Sequence, residues 1–313
     1  MVGDVRERLR ELPERCVHTV VTSPPYFGLR DYGSENQIGL EETPEQYVAE
    51  LVLVFEEVKR VLRDDGTVWL NVGDSYATQP GKGANVPQTK HPKNTYPTEA
   101  PHRSQSFDGI PPKNLLGIPW RLAFGLQAAG WYLRQDIIWH KPNVMPESVK
   151  DRCTKAHEYV FLLSKRPNYY FDHEAIKEPA VGGQSGMATM FKRPAGNKRA
   201  QTIPNQSAGT HRPDRDPVEY NGELRNRRSV WSINTKPFKG AHFAVFPEAL
   251  VEPCVLAGAP CGGMVLDPFA GSGTTGVVAN RLGRDATLVE VNPTYAEMAR
   301  DRIAEAGYDV ELG

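Results

Sequence analysis

The sequence predicts an α/β protein built on parallel strands joined by crossover helices, and three stretches predict it. An apolar, β-branched run, Cys16-Val17-His18-Thr19-Val20-Val21, ends abruptly before Pro24-Pro25. A loop, a capped amphipathic helix and a second apolar run follow it within residues 27–72. Near the other end, an apolar run enters a glycine turn, a helix and a further strand that stops at Glu290. The first two stretches together, and the third by itself, have the order of a βαβ unit, whose strands pair in parallel.

Taken in order, residues 4–14 predict a short amphipathic helix leading into the first strand. That strand must stop at the prolines, because neither has an N–H to give to a ladder. The chain is thus held stiff just beyond the carboxyl end of a strand, where open α/β sheets bind ligands. In Thr22-Ser23-Pro24-Pro25-Tyr26, the serine offers a hydroxyl, each proline a carbonyl, and the tyrosine a flat ring. Oxygens that accept from an NH2 group, beside a ring that stacks on a base, suit an aromatic amine. A polyproline docking segment is the plainer reading of the same residues.

After a Gly- and charge-rich loop at 27–42, Thr43-Pro44-Glu45-Gln46 predicts a helix start, with a Thr N-cap, Pro in the first turn and Gln closing a capping box. Tyr47, Leu51, Val54, Val58 and Val61 recur at helical spacing, and Gly66 is expected to end the helix before a buried strand at 67–72. Residues 73–112 are polar and rich in Pro and Gly, with little to bury, so they predict disorder or a functional loop. A helix at 118–129 is stopped by Gly130, and neighbouring strands are expected at 131–139 and 158–163. Residues 173–230 form a second irregular stretch. Regular structure resumes at Val230-Trp231 and at 242–247, and a helix follows at 247–257.

Composition sets bounds. With 39% hydrophobic and 24% charged residues the 313-residue chain reads as soluble and globular. No apolar run reaches membrane-spanning length, and Met1-Val2-Gly3-Asp4-Val5-Arg6-Glu7 has no signal-peptide core. Cys16, Cys153, Cys254 and Cys261 lack metal-ligand spacing, so no metal is expected and a reduced, cytoplasmic setting is. Net charge is −1, yet its distribution is uneven. Residues 173–240 hold twelve Lys/Arg against six Asp/Glu, and 82–113 hold five against two. Positive charge confined to two irregular segments is either a solvated surface or what contact with a phosphate backbone requires.

At the far end, a strand at 264–266 runs into Asp267-Pro268-Phe269-Ala270-Gly271-Ser272-Gly273-Thr274-Thr275-Gly276, then a helix at 277–280 and a strand at 286–289. Glycines let the backbone turn tightly and let a ligand approach a helix N-terminus. Glu290, nineteen residues beyond Gly271, stands where an acid accepts hydrogen bonds from two ribose hydroxyls. A dinucleotide or S-adenosylmethionine would fit such a unit. The Asp-Pro-Phe start, and the lack of a following half for a second nucleotide, favour S-adenosylmethionine. A P-loop is excluded, since no lysine follows the glycines.

Thr22-Ser23-Pro24-Pro25-Tyr26 together with Asp267-Pro268-Phe269-Ala270-Gly271-Ser272-Gly273-Thr274-Thr275 resembles the amino-group DNA methyltransferases of restriction–modification systems. The motif order, catalytic loop first and cofactor loop last, is similar to that of their β group. Leu70-Asn71-Val72-Gly73-Asp74, Ile137-Ile138-Trp139-His140-Lys141-Pro142-Asn143, His157-Glu158 and His242-Phe243-Ala244-Val245-Phe246-Pro247 agree with it.

The resemblance implies a Rossmann-like methyltransferase fold, a seven-stranded, mostly parallel sheet with helices on both faces. It divides the chain into a catalytic half at 1–172 (with a polar loop insertion at about 78–112), a target-recognition region at 173–230 and a cofactor half at 231–313. It gives catalysis to Ser23, Pro24, Pro25 and Tyr26. It gives S-adenosylmethionine to Thr22, Phe243, Phe246, Asp267, Pro268, Phe269, Ala270, Gly271, Ser272, Gly273, Thr274 and Glu290. For the aromatics, ordinary core packing is the competing reading. In the basic region, Lys192, Arg193, Lys198, Arg199, Arg225, Arg227 and Arg228 are the expected DNA contacts.

The implied reaction moves a methyl group to N4 of cytosine in duplex DNA after base flipping. N6 of adenine is the alternative. An inactive DNA-binding relative, or methylation of RNA or a protein amide, is more remote. Double-stranded DNA is the expected partner, with a cognate restriction endonuclease and a homodimer as further expectations and no membrane.

Overall fold

The structure, a computed structural model, describes residues 1–29, 37–77, 109–180, 224–236, 246–311 and 313. The chain divides into two compact units, one of Met1–Ala175 with Arg228–Gly313 and one of Ile176–Arg227.

In the first unit seven strands form one sheet. In chain order they are β1 (Val17–Thr22), β2 (Leu62–Val72), β3 (Tyr132–His140) and β4 (His157–Ser164). The short pair β5 (Glu178–Pro179) and β6 (Leu224–Arg225) belongs to the second unit. Then come β7 (Val230–Ser232), β8 (Met264–Asp267) and β9 (Asp285–Leu288). Their order across the sheet is β7-β3-β4-β2-β1-β8-β9. All neighbours are parallel except those of β4, which runs antiparallel to both β2 and β3. The sheet is therefore mostly parallel, and β1 lies between the strand that follows it and a strand from the far end of the chain.

Alternation along the strands explains the layers. Val20, Val68 and Leu70 point into the main core, with Tyr47, Leu51, Val54 and Val58 of the helix Pro44–Val61 and Leu122 and Leu126 of the helix Ile118–Ala128. Thr19 and Thr67 point the other way and share a hydrogen bond at 2.9 Å. The helix Glu248–Gly258 ends against them: a Cβ on Gly258 would collide with the Thr19 side chain and lie 2.9 Å from the Thr67 hydroxyl. Helices thus cover both faces. No helix among the described residues is long and apolar enough to cross a membrane.

Most expected elements are present, with shifts at their ends. The capping box is complete: Gln46 N donates to Thr43 Oγ1 and Thr43 N to Gln46 Oε1. Gly66 was expected to end this helix and does not. The helix stops at Val61, and Gly66 lies inside β2. The reason is an irregular ladder: Val17 pairs with Leu62 but Thr19 with Thr67, so residues 63–66 bulge, and Gly66 packs where a Cβ would meet Leu62 and the His18 carbonyl. The N-terminal helix is also shorter than the 4–14 stretch. It covers Val5–Arg8 and tightens into a 3-10 turn, Leu9–Glu11.

Candidate active site

Strands β1, β2, β3 and β8 all point their carboxyl ends at one edge of the sheet, and β4 begins there. Thr22, the last residue of β1, is fully buried and its hydroxyl donates to Asp267 Oδ1 at 2.7 Å. This bond joins the Ser23–Tyr26 loop to the glycine loop after β8. Asp267, also fully buried, accepts from Thr275 Oγ1 at 2.6 Å and from the Phe269 N–H at 3.1 Å. Burial pushes its carboxyl up to about 6, against these three hydrogen bonds, which pull it down.

The two proline carbonyls are not equivalent. The Pro25 carbonyl accepts the Tyr47 hydroxyl at 2.7 Å, which corrects the expectation that both were open. Among the described residues no donor reaches the Pro24 carbonyl. The Ser23 hydroxyl is hydrogen-bonded to that of Tyr26 and keeps a lone pair, so Ser23 and the Pro24 carbonyl are the neighbouring acceptors of the loop. Tyr26 is half-buried. Its hydroxyl donates to Glu158 Oε2 at 2.8 Å and lies 3.4 Å from Asn71 Oδ1. Asn71 Nδ2 donates to the same Glu158 oxygen at 3.2 Å and to the Tyr159 carbonyl at 3.1 Å. Lys141 forms an ion pair with the other oxygen of Glu158 and lies 4.1 Å above the Trp139 ring. Burial and the Glu158 carboxylate push the Tyr26 phenol well up, so it keeps its proton. Asn71, Lys141 and Glu158 were in view in the sequence as family signatures, but no spacing tied them to Tyr26; only the β2–β4–β3 pairing does.

In the glycine loop, Glu290 accepts the Gly271 N–H at 2.8 Å and the Asn292 N–H at 2.9 Å, one on each carboxylate oxygen. Each oxygen keeps a further lone pair. Burial raises its pKa. Residues 1–3 run beside it: Gly3 N donates to the Glu290 carbonyl and Glu290 N to the Met1 carbonyl, a support no sequence signal marked. Gly271 and Gly273 both have positive φ, 52° and 74°. At Gly273 a Cβ would also lie 2.8 Å from the Ala299 Cβ, and at Gly276 it would meet Ile303 and Leu288. Close packing against the neighbouring helix and strand therefore accounts for Gly273 and Gly276. Ser272 and Thr274 are buried, and their hydroxyls accept from Arg302 of the helix Pro293–Glu305, at 3.2 and 2.8 Å. Ala270 and Pro268 are buried in the turn and Phe269 is half-buried.

Phe246 lines a small apolar cleft with Val21, Thr22, Trp69, Asn71, Leu250 and Cys254. Trp69 Nε1, buried in that wall, has no acceptor among the described residues. The Glu290 carboxylate, with a lone pair open on each oxygen beside a tight glycine turn, fits a cofactor that carries a ribose. Phe243, Lys192, Arg193, Lys198 and Arg199 lie outside the described residues. In the second unit, Arg225 is paired with Glu178 across the β5–β6 ladder at 2.9 Å. Arg227 is half-buried and Arg228 exposed. Among the described residues no cluster of His, Cys, Asp and Glu could hold a metal.

Comparison with known proteins agrees with this geometry. Residues 17–301 match the profile of the N6/N4 DNA methylase family. The chain is 47% identical over 303 residues to the Type II methyltransferase M.SmaI of Serratia marcescens, covering 97% of this chain and 89% of that one. Among solved structures, it is similar to a candidate DNA modification methylase of Thermus thermophilus complexed with S-adenosyl-L-methionine, at a TM-score of 0.58 and 25% identity over 99% of this chain and 97% of that one. The PvuII DNA methyltransferase, a cytosine-N4-specific enzyme, shares the fold at a TM-score of 0.62 and 19% identity, over 100% of this chain and 86% of that one. With a family profile that spans most of its length and a relative at nearly half identity, the chain belongs to the amino-group DNA methyltransferases of the restriction–modification type.

Proposed function

We propose that the protein methylates N4 of cytosine at a specific site in duplex DNA, with Ser23 and the Pro24 carbonyl gripping the amine. The observation that carries this reading is the pair of neutral acceptors left at the loop once Tyr47 has taken the Pro25 carbonyl. S-adenosylmethionine is the cofactor, and when bound it supplies a methyl group on a sulfonium. Glu290 would hold the ribose hydroxyls on its free lone pairs, the turn of Pro268 to Gly273 would line the adenosine, and Thr22 and Phe246 would wall the amino-acid end.

The amine's lone pair is delocalised into the base. Accepting its two N–H bonds at Ser23 Oγ and Pro24 O raises electron density on nitrogen and stabilises the positive charge that develops there. As nitrogen gains the methyl carbon, the carbon–sulfur bond of the donor would break with its electron pair going to sulfur, which leaves as a neutral thioether, and the excess proton on nitrogen would pass through these acceptors to water. Tyr26 stacks on the extruded base, and the loop's rigidity sets the line of attack. A neutral serine at position 23 favours cytosine N4; an aspartate there would pull harder on an adenine amine. The unit Ile176–Arg227 we assign to target recognition, with Arg228 beside it in sequence as a phosphate contact.

The test is to express the protein in a methylation-free host, map the modified site by sequencing and digest the DNA to nucleosides for mass spectrometry. N4-methylcytosine is expected. N6-methyladenine alone refutes the base assignment while leaving the family intact, and Ser23→Ala should yield neither product.

A further inference from the structure

We propose that Glu158 is a positioning residue for the methyl transfer: it tethers the Tyr26 ring, through the phenol hydroxyl, in the orientation that receives the flipped base. The inference rests on the role given above to Tyr26.

Consider how the ring is held. Its hydroxyl donates to Glu158 Oε2 at 2.8 Å, an acceptor that carries charge and therefore binds more strongly than a carbonyl would. The same oxygen is fixed from a second side by Asn71 Nδ2, and Asn71 is itself anchored on the Tyr159 carbonyl. Along the ring edge, Gly73 leaves no room: a Cβ there would lie 2.5 Å from Tyr26 Cε2. A phenol pinned at its oxygen and flanked along one edge has lost its freedom to rotate about Cα–Cβ. That lost freedom is what a stacking platform needs before the base arrives, because ordering it afterwards would subtract from the energy of stacking.

The Glu158 carboxylate is also shielded from water. Its side chain is only 15% exposed and that of Lys141 16%. The ammonium pairs with the oxygen that Tyr26 does not use and rests on the Trp139 face, so each carboxylate oxygen has a separate task. These groups reach one point from four places: the loop after β1, β2, the residue after β3, and the start of β4. A core ion pair would need none of that convergence on the catalytic tyrosine.

The experiment uses the full-length enzyme and a duplex carrying its mapped site, with 2-aminopurine next to the target base to report extrusion. Tyr26→Phe keeps the ring and removes the tether. Glu158→Ala removes the acceptor, and Glu158→Gln restores a neutral one. We expect Tyr26→Phe and Glu158→Ala each to weaken the 2-aminopurine emission and lower kcat/KM for DNA by about tenfold, the scale of one hydrogen bond to a charged group. The double variant Tyr26→Phe with Glu158→Ala should be no worse than either single one, Glu158→Gln should recover part of the loss, and S-adenosylmethionine affinity should stay unchanged throughout. If Glu158→Ala does not fold, the Tyr26→Phe result decides alone. Wild-type emission and kcat/KM in Tyr26→Phe, with both lost in Tyr26→Ala, would overturn the tether and leave the platform standing. Additive losses in the double variant would overturn it as well. Unchanged behaviour in Tyr26→Ala would overturn the platform itself, and the tether with it.

Discussion

Replacing Asp267 by Asn should change how stability depends on pH. Asp267 is fully buried, and its carboxyl is raised from an ordinary 3.8 to about 6. The folded state therefore holds this proton more tightly than the unfolded chain does. Its stabilising contribution is fully present below the unfolded pKa and is lost as pH rises through about 6. A shift of about two units corresponds to about 3 kcal/mol in full, of which about 2 kcal/mol falls between about pH 4.5 and about pH 7.5. Asn keeps the shape. Its Oδ1 can still accept from Thr22 and the Phe269 N–H, and Thr275 can turn its proton toward the Val21 carbonyl, already 3.4 Å away, and accept from Nδ2. Asn does not titrate, so the wild-type advantage over Asp267→Asn should shrink by about 2 kcal/mol across that interval. Urea unfolding of both proteins at a series of pH values, read as the difference in unfolding free energy, measures it. A difference independent of pH would show that ionising Asp267 costs nothing in the fold and would refute the argument from burial.

Glu290→Ala removes the acceptor for two backbone N–H groups and, on the proposed reading, for the cofactor's hydroxyls, so S-adenosylmethionine binding should weaken by about 1.5–3 kcal/mol per lost charged hydrogen bond. Calorimetry on the folded variant checks this, and unchanged affinity takes Glu290 out of the site. Gly273→Ala combines a left-handed backbone with a methyl group pressed on Ala299, and should cost about 2–4 kcal/mol in thermal or urea unfolding. A loss below about 1 kcal/mol would mean that the Pro293–Glu305 helix can shift. Arg228→Ala should lower the slope of log affinity for DNA against log salt by about 0.9, the value for one phosphate contact, without touching cofactor binding. Arg225, already paired with Glu178, should respond less, and equal slopes for Arg228→Ala and wild type would make Arg228 mere solvated surface.

The two end motifs were legible because each couples a local backbone rule to its chemistry. Pro24-Pro25 must end a strand, and a glycine turn before a helix must sit at a strand's carboxyl end. The capping box at Thr43 and Gln46 was legible for the same reason, since a cap is decided within four residues. What sequence reading could not reach were facts decided by pairing across the sheet. Gly66 resembles a helix stop locally, yet the bulged register of β1 on β2 makes it a strand residue. Tyr47 was visible only as an apolar position at helical spacing, whereas its hydroxyl selects which proline carbonyl stays open. Ser272 and Thr274 stand inside the cofactor motif but turn their hydroxyls to Arg302, some thirty residues on. Glu158, with Lys141 on its other oxygen, meets Tyr26 only because β4 runs antiparallel between β2 and β3.

The place of β1 bears on how such a chain is made. Its two sheet neighbours differ in when they leave the ribosome: β2 follows within tens of residues, while β8 comes from the far end of the sequence. The hydroxyl–carboxylate bond that joins the loop after β1 to the loop after β8 spans 245 positions. Until β8 emerges, then, β1 keeps a bare parallel edge, with Thr19 and Val21 uncovered on the side of the helix Glu248–Gly258. Such long-range closure is slow, and unpaired edges invite association between nascent chains. If the proposed site is right, the enzyme's two substrates can meet only after this last seam has closed, so a truncated or stalled chain would carry the Ser23–Tyr26 loop without the glycine loop that faces it.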